Sequence, residues 1–474
     1  MELPVRCVFE SPTVAELGAA VEAARGEPRP SMPPIEALSR EGALALSFAQ
    51  ERLWFLDQLE GPSAAYNVPG GVRLCGPLDV VALERSLREI VQRHEVLRTS
   101  FPTVEGVAVP QIAPVREVGL PVVELQGLGD EEREAEVRRL AVEEAQRPFD
   151  LARGPLLRVC LVKLGEEDHG LLVTLHHIVT DGWSLGVFIH ELSALYPAFA
   201  TGRPSPLVAL PIQYADFAAW QREWLQGAVL AGQLGYWQEQ LAGAPGLLEL
   251  PTDHPRPAVQ GFRGASVAVE LEAELTQGLK ALSQRAGVTL FMTLLGAFMV
   301  VLARYSRQED IVVGSPIANR THRQTEGLIG FFVNTLVLRV DLSGDPPFEE
   351  LLSRVRRVAL EAYAHQEVPF ERVVEALQPE RSLSHSPLFQ VLFALQNLPV
   401  GELELPGLSL SPLTLESATA KFDLSLLLSE TEGGLVGVWE YSTELFEAAT
   451  ITRLGAHLQT LVEGIVADPK RRLS

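Results

Sequence analysis

The sequence predicts an α+β protein of two lobes of similar size, with a boundary near residues 215–225. Its 474 residues are too many for one small domain. Segments with helical and with strand periodicity are mixed in both halves of the chain. A content of 47% hydrophobic and 21% charged residues is ordinary for globular proteins. We therefore expect two cores, each formed by helices and a sheet.

Hydrophobic periodicity predicts the individual elements. In the helix predicted at 78–94, Val81, Leu83, Leu87 and Ile90 recur on roughly one face. The other predicted elements are a charged helix at 130–145, strands at 156–163 and 170–176, helices at 272–286, 289–304 and 347–364, and strands at 310–315, 331–340, 388–396 and 433–441.

The N-terminal residues form a separate piece. Thr13 and Glu16 have the spacing of a capping box, which predicts a helix at 14–24 within a unit at 1–25. Residues 26–43 are rich in proline and read as a stiff linker. We place the first lobe at 44–218 and the second at 219–474.

Composition excludes several functions. A formal net charge of −22 argues against binding to nucleic acid or to an anionic membrane surface. The apolar stretch 288–303 is shorter than the roughly 20 residues that a membrane span needs. No secretory signal is visible, so we expect a cytoplasmic protein. The three cysteines show no CxxC spacing, and no histidine pattern suggests a metal site.

The most informative segment is 176–184, which begins with two histidines after an apolar strand. Because neighbouring side chains on a strand face opposite sides, one imidazole of His176 and His177 faces a cleft and the other packs inward. The break at 180–182 ends the strand beside an acid and a glycine. A lone histidine here would usually be a core residue, but this combination favours acyl chemistry.

Six further segments carry a resemblance to a known family. Together with the His-His turn they resemble, in order, the motifs of nonribosomal peptide synthetase condensation domains, over residues 44–470. Residues 1–25 resemble the C-terminal tail of a peptidyl carrier protein. The segments are 47–56 (SFAQERLWFL), 93–101 (RHEVLRTSF), 214–220 (YADFAAW), 329–335 (IGFFVNT), 365–371 (HQEVPFE) and 386–390 (SPLFQ).

This resemblance implies a fold and a set of partners. The fold would be two chloramphenicol-acetyltransferase-like lobes in a V-shaped pseudo-dimer with a central tunnel. An upstream donor carrier and a downstream acceptor carrier would deliver substrates on 4′-phosphopantetheine arms, beside a neighbouring adenylation domain. The Gly-Gly-x-Ser segment that carries such an arm is absent, so we expect no cofactor on this chain and a monomer as an excised domain.

The implied reaction is aminolysis of a donor thioester by the acceptor's α-amine. By resemblance His177 faces the tunnel, either as general base or as a group that positions the amine. His176 would pack inward, Asp181 would pair with Arg98 to hold the turn rigid, and Gly182 would let the donor arm pass. The predicted supports of the tunnel are Trp183, Ser184 and Asn334.

Three alternatives remain at this stage. Ser184 lies in a G-x-S-x-G pattern typical of serine hydrolases, but five residues separate that pattern from the preceding strand. An epimerisation domain shares the fold and the His-His turn, although the motifs 47–50 and 181–184 look more like members that join two L-configured units. The third alternative is a non-catalytic domain that recruits other proteins. In such relatives the His-His turn is usually degraded, whereas it is intact here.

Overall fold

The computed structural model has two large β-sheets, each with its own hydrophobic core. Helices cover both sheets, which confirms the predicted α+β class. The structure describes residue 7 and residues 13–24, 32–114, 119–380, 382–396, 403–413 and 419–473.

The first sheet has five strands in the order β13-β1-β8-β7-β6. All neighbours in it are antiparallel except β6 and β7. Its central strand β8 carries the His-His turn at its C-terminal end. The strands are β1 (Asn67–Cys75), β6 (Val122–Glu124), β7 (Leu157–Lys163), β8 (Asp168–His176) and β13 (Ser409–Pro412), with two short pairs nearby formed by β2 (Thr99–Ser100) with β5 (Gln111–Ile112) and β3 (Thr103–Val104) with β4 (Val107–Ala108).

The second sheet has six strands in the order β11-β10-β12-β14-β15-β9. Strand β12 is parallel to both of its neighbours, and the other pairs are antiparallel. The strands are β9 (Gly264–Glu272), β10 (Asp310–Ile317), β11 (Asn334–Asp341), β12 (Val391–Gln396), β14 (Leu424–Thr431) and β15 (Gly434–Ser442).

The helices follow the predicted periodicities where the sequence is amphipathic. Helix α9 (Leu290–Ser306) lies inside the second core, with Phe298 and Leu302 fully buried. The helices are α1 (Val14–Ala24), α2 (Phe48–Glu60), α3 (Val80–Arg93), α4 (Asp130–Gln146), α5 (Gly182–Ala200), α6 (Tyr214–Trp224), α7 (Gly227–Gln240), α8 (Ala273–Ala286), α9 (Leu290–Ser306), α10 (Phe348–Ala364), α11 (Phe370–Leu377) and α12 (Ala448–Ala467).

No single helix among the described residues is long and apolar enough to cross a membrane. Helices α8 and α9 reach the required length and hydropathy only as a pair, and they are bent by 104° relative to each other.

Segments of the second half of the chain contribute to the first lobe. Strand β13 pairs with β1 at the edge of the first sheet. Leu328, Ile329 and Phe332 are buried in the first core. Helix α6 also packs into the first core, whereas Trp237 on α7 belongs to the second. The chain therefore passes from one core to the other after α6 and later returns twice.

The described part of the predicted linker is attached to the body. The backbone N–H and C=O of Ile35 bond to the side-chain amide of Gln324 at 3.3 and 3.1 Å, and Ile35 is buried. The backbone N–H of Leu38 donates to Asp216 at 2.9 Å. Residues 32–43 thus run along the junction between the two halves.

The N-terminal helix α1 has the predicted bounds. The Thr13 hydroxyl accepts the N–H of Glu16 at 3.2 Å, and the Glu16 carboxylate accepts the N–H of Thr13 at 3.1 Å, which completes the capping box. Residues 1–12, apart from Cys7, lie outside the described residues, and so does residue 25, so that about half of the segment 1–25 that resembles a carrier protein is described.

Candidate active site

The His-His turn follows directly from the end of strand β8. His176 is the last residue of the strand, and a single 3₁₀ turn, His177–Val179, leads to Asp181. Asp181 caps helix α5, because its carboxylate accepts the backbone N–H of Ser184 at 2.8 Å. The acid that ends the turn therefore also begins the helix that supports it.

His176 lies inside the first lobe and is 4% exposed. Its Nδ1 accepts the backbone N–H of Ile178 at 3.1 Å, and its ring contacts Phe149 edge-on at 6.0 Å between centroids. Burial, together with the nearby positive groups, lowers the pKa of His176 to about 3. The side chain is therefore a neutral part of the core that stabilises the turn.

His177 is half-buried, and its ring has a defined tautomer. Nδ1 lies 2.8 Å from the carbonyl oxygen of Thr180. Because a carbonyl can only accept, Nδ1 carries the proton and Nε2 has a free lone pair. No described residue hydrogen-bonds to Nε2, and the ring contacts Phe331 at 4.9 Å between centroids. The arrangement leaves one basic nitrogen available to a ligand.

The imidazole of His177 is a weak base in this position. Burial is the main reason why its pKa falls to about 3, and the positive charge of Lys421 acts in the same direction. The hydrogen bond to Thr180 opposes this shift without overcoming it. His177 is thus neutral at physiological pH and accepts a hydrogen bond more readily than it takes up a proton.

Asp181 joins the turn to the second half of the chain. One carboxylate oxygen accepts the backbone N–H of Phe332 at 2.9 Å. The other lies 3.3 Å from the guanidinium of Arg320, and each of these two charged side chains is 2% accessible. This is a buried ion pair with additional backbone donors, which holds the turn against the segment that precedes β11.

The prediction that Asp181 pairs with Arg98 is wrong. Arg98 ends the 3₁₀ turn Glu95–Arg98, donates to the carbonyl of Ala113 at 2.7 Å and lies 3.8 Å from the carboxylate of Glu95. Its short turn directs it toward local partners. The arginine that reaches Asp181 comes instead from the second half of the chain, 139 residues away.

Ser184 is fully buried, and its hydroxyl has no free hydrogen-bonding capacity for catalysis. Oγ donates to the carbonyl of Gly330 at 2.8 Å and accepts from the N–H of Gly330 at 3.0 Å and from Arg320 at 2.8 Å. A nucleophile must reach its substrate through a hydroxyl in contact with a base. Ser184 therefore links helix α5 to Arg320 and Gly330 in the second half of the chain. It does not support a serine hydrolase.

The neighbours of Ser184 on helix α5 differ in exposure. Trp183 is half-buried, and its indole N–H donates to the carbonyl of Glu326 at 2.8 Å, which is a second link to the same segment. Gly182 is exposed at the start of the helix. The start of α5 thus presents backbone rather than side chain next to the turn.

Asn334 begins strand β11 and connects it to the segment before α11. Its amide group donates to the carbonyls of Gln366 and Val368 at 2.9 and 2.7 Å. Its oxygen accepts the N–H of Phe370 at 3.0 Å. All of these partners are backbone groups, so Asn334 fixes the start of β11 against residues 366–370.

Three polar residues that support the turn were not singled out from the sequence. They are Arg320, Tyr214, whose hydroxyl donates to the carbonyl of Phe331 at 2.6 Å, and Gln50, whose amide donates to the carbonyl of Ile178 at 3.2 Å. Gln50 and Tyr214 lie in motif segments that the sequence did indicate. Among the described residues, no three His, Cys, Asp or Glu side chains are grouped to hold a metal ion.

The Condensation domain family model matches residues 40–474. The chain is 52% identical to a linear gramicidin synthase of Brevibacillus parabrevis over 476 residues, which is 100% of this chain and 9% of that protein. It is 50% identical to chondramide synthase cmdD of Chondromyces crocatus over 93% of this chain and 11% of that protein. The chain thus spans about a tenth of the length of these relatives.

Solved structures agree in fold. The X-domain from teicoplanin biosynthesis matches with a TM-score of 0.84 and 32% identity, over 93% of this chain and 99% of that chain. Holo-AB3403, a four-domain nonribosomal peptide synthetase, matches with a TM-score of 0.81 and 26% identity, over 94% and 34% of the two chains. The predicted fold of two acetyltransferase-like lobes is confirmed. The chain belongs to the condensation domain family, whose members are the amide-bond-forming acyltransferases of nonribosomal peptide synthetases.

Proposed function

We propose that this chain joins two L-configured units by aminolysis of a thioester. The α-amine of an acceptor aminoacyl thioester attacks the carbonyl carbon of a donor aminoacyl or peptidyl thioester. A carbon–nitrogen bond forms, the carbon–sulfur bond breaks, and the proton lost by the amine is balanced by the proton gained by the leaving thiolate. The observation that carries this proposal is the free Nε2 of His177, oriented by the bond from Nδ1 to Thr180 at 2.8 Å.

The tautomer and low basicity of His177 favour a positioning role. A free α-amine has a pKa of about 7.7–8.0, so a useful fraction is already neutral near pH 7. A neutral Nε2 can accept a hydrogen bond from the amine N–H and direct the nitrogen lone pair at the carbonyl. After attack the nitrogen becomes a stronger acid, and its proton can then pass to the leaving thiolate.

Much of the rate enhancement would come from holding the two reactants together. Good orientation of bound reactants supplies up to roughly 7–11 kcal/mol. Both substrates would be tethered by 4′-phosphopantetheine to carrier proteins, an upstream donor and a downstream acceptor, with an adenylation domain as neighbour. Gly182 is exposed beside the turn, and its lack of a side chain suits the close passage of the donor arm. Asp181, Arg320 and Ser184 would keep the turn in place.

The direct experiment uses two carrier proteins loaded chemically with L-aminoacyl pantetheine. They are mixed with this chain, and the dipeptidyl product on the acceptor carrier is measured by mass spectrometry. We expect product with the wild type and a loss of about 10²-fold or more with His177→Ala, the order of loss that misplacing a reacting group by about 1 Å causes. Absence of product with two competent carriers would contradict the proposal.

A matched measurement separates this function from epimerisation. The donor is labelled with deuterium at the α-carbon, and its retention is followed in the product and in unreacted donor. We expect full retention of the label. Washout of the label without dipeptide would indicate an epimerase instead.

A further inference from the structure

A lysine that the proposed mechanism does not use lies next to the His-His turn. Lys421 is half-buried, and its Nζ lies 4.9 Å from the centroid of the Tyr66 ring. The carbonyl of Tyr66 in turn accepts the backbone N–H of His177 at 2.8 Å. Tyr66 therefore lies between the ammonium group and the backbone of the catalytic turn.

The charges around Lys421 are incompletely balanced. Arg52 on α2 is paired with Glu371 on α11 at 3.0 Å, and its positive charge still repels Lys421. Glu440 on β15 attracts Lys421, but among the described residues no carboxylate lies within 4 Å of its Nζ. A cation without a close counter-ion thus faces the turn from the second half of the chain.

The charge of Lys421 also acts on the two histidines. The positive charge of Lys421 contributes to the lowered pKa of both His176 and His177, and no described acid raises either value. Burial lowers the pKa of Lys421 itself to about 8, so the group is charged at neutral and acid pH. Any second cation placed at Nε2 of His177 would meet the same repulsion.

We propose that Lys421 is a positioning residue that keeps the acceptor α-amine in its neutral, nucleophilic form beside His177. The inference rests on the proposed function and deepens it. An incoming ammonium group loses its proton to water as it enters, because the neutral amine is not repelled. This accounts for a catalytic turn that carries such a weak base: deprotonation is driven by a fixed charge, and His177 has only to orient the amine.

The test measures kcat against pH with saturating acceptor, because kcat reports ionisations within the bound complex. In the wild type we expect the acidic limb of the profile to lie about one pH unit below the pKa of the free acceptor amine, the order of effect that one nearby charge exerts at an effective dielectric of about 20. Lys421→Met should move the limb back up to the free value, and Lys421→Arg should retain the wild-type limb.

A hydroxyl acceptor provides the control for a merely structural role. An α-hydroxyacyl thioester does not ionise in this range, so its pH profile should be the same in the wild type and in Lys421→Met. A limb that stays in place in Lys421→Met, while the rates with both acceptors fall equally, would overturn the proposal. If Lys421→Met does not fold, the pH profile of the wild type is a sufficient test. An acidic limb at the pKa of the free acceptor amine would also overturn the proposal. Absence of amide product at every pH would instead contradict the proposed function.

Discussion

The ion pair between Asp181 and Arg320 gives the sharpest prediction about the turn. Asp181→Ala removes the acceptor for the N–H groups of Phe332 and Ser184 and leaves the Arg320 charge buried with side-chain accessibility of 2%. Loss of one partner of a buried pair costs about 3–5 kcal/mol. We therefore expect Asp181→Ala to lower the free energy of unfolding by that amount.

Arg320→Met should cost less than Asp181→Ala. The Asp181 carboxylate keeps two backbone N–H donors at 2.8 and 2.9 Å after the arginine is removed, so its charge stays partly compensated. Against this, the carbonyls of Thr325 and Leu328 lose their donor. We expect a cost of about 2–4 kcal/mol, and a double variant that costs clearly less than the sum of the two single variants.

The assay is a double-mutant cycle by urea unfolding followed by tryptophan fluorescence. A coupling energy above about 1 kcal/mol is the expected result for side chains in direct contact. Two results would refute the assignment of Arg320 as the partner of Asp181. One is that the losses in free energy of unfolding of the two single variants add up, within error, to that of the double variant. The other is a loss below about 1 kcal/mol for Asp181→Ala. Arg98→Met serves as the matched control and should show no coupling with Asp181→Ala.

Three further predictions concern the residues around the turn. Because burial lowers the pKa of both His176 and His177 to about 3, the unfolded chain binds these protons first, and stability that is present above about pH 6.5 should fall by up to about 2.7 kcal/mol per pH unit between pH 6 and 4; His176→Asn, which keeps an acceptor for Ile178, should roughly halve this slope in urea titrations. Ser184→Ala should lower the free energy of unfolding by about 1–3 kcal/mol, since Gly330 loses its partner, and a fluorophosphonate should not label the wild type. Asn334→Asp should destabilise by about 2–4 kcal/mol, because a carboxylate would face two backbone carbonyls, whereas Thr335→Ser beside it should be nearly silent in the same titration.

The sequence predicted elements well where periodicity was strong. Helices α1 and α4 have the predicted start, and α8 and α10 agree within one residue. Helix α5 was not predicted, because its apolar residues are distributed around the whole helix and because Pro197, a residue type that usually ends a helix, lies inside it. The strand expected at 331–340 begins only at Asn334, since the N–H of Phe332 bonds to Asp181 instead of to the sheet.

The sequence indicated which residue types form the site and how the turn is built locally. The His-His turn with Asp181, and Asn334, belong to short segments that the sequence displays. The partner of Asp181 was not predictable from such segments, because Arg320 and Arg98 are both arginines near motifs and only the folded chain decides which one reaches the turn. The attachment of residues 32–43 through Ile35 was missed for the same reason.

The central claim is that a neutral His177 orients the acceptor amine. The most direct test is the ratio of single-turnover rates of amide formation in the wild type and in His177→Ala, measured from pH 5 to pH 8, so that ionisation of the amine largely cancels. With a pKa of about 3 for His177, we predict a ratio above about 100 that does not change across this range. A ratio that falls toward unity as the pH drops through 6.5, or a ratio near unity throughout, would contradict the account.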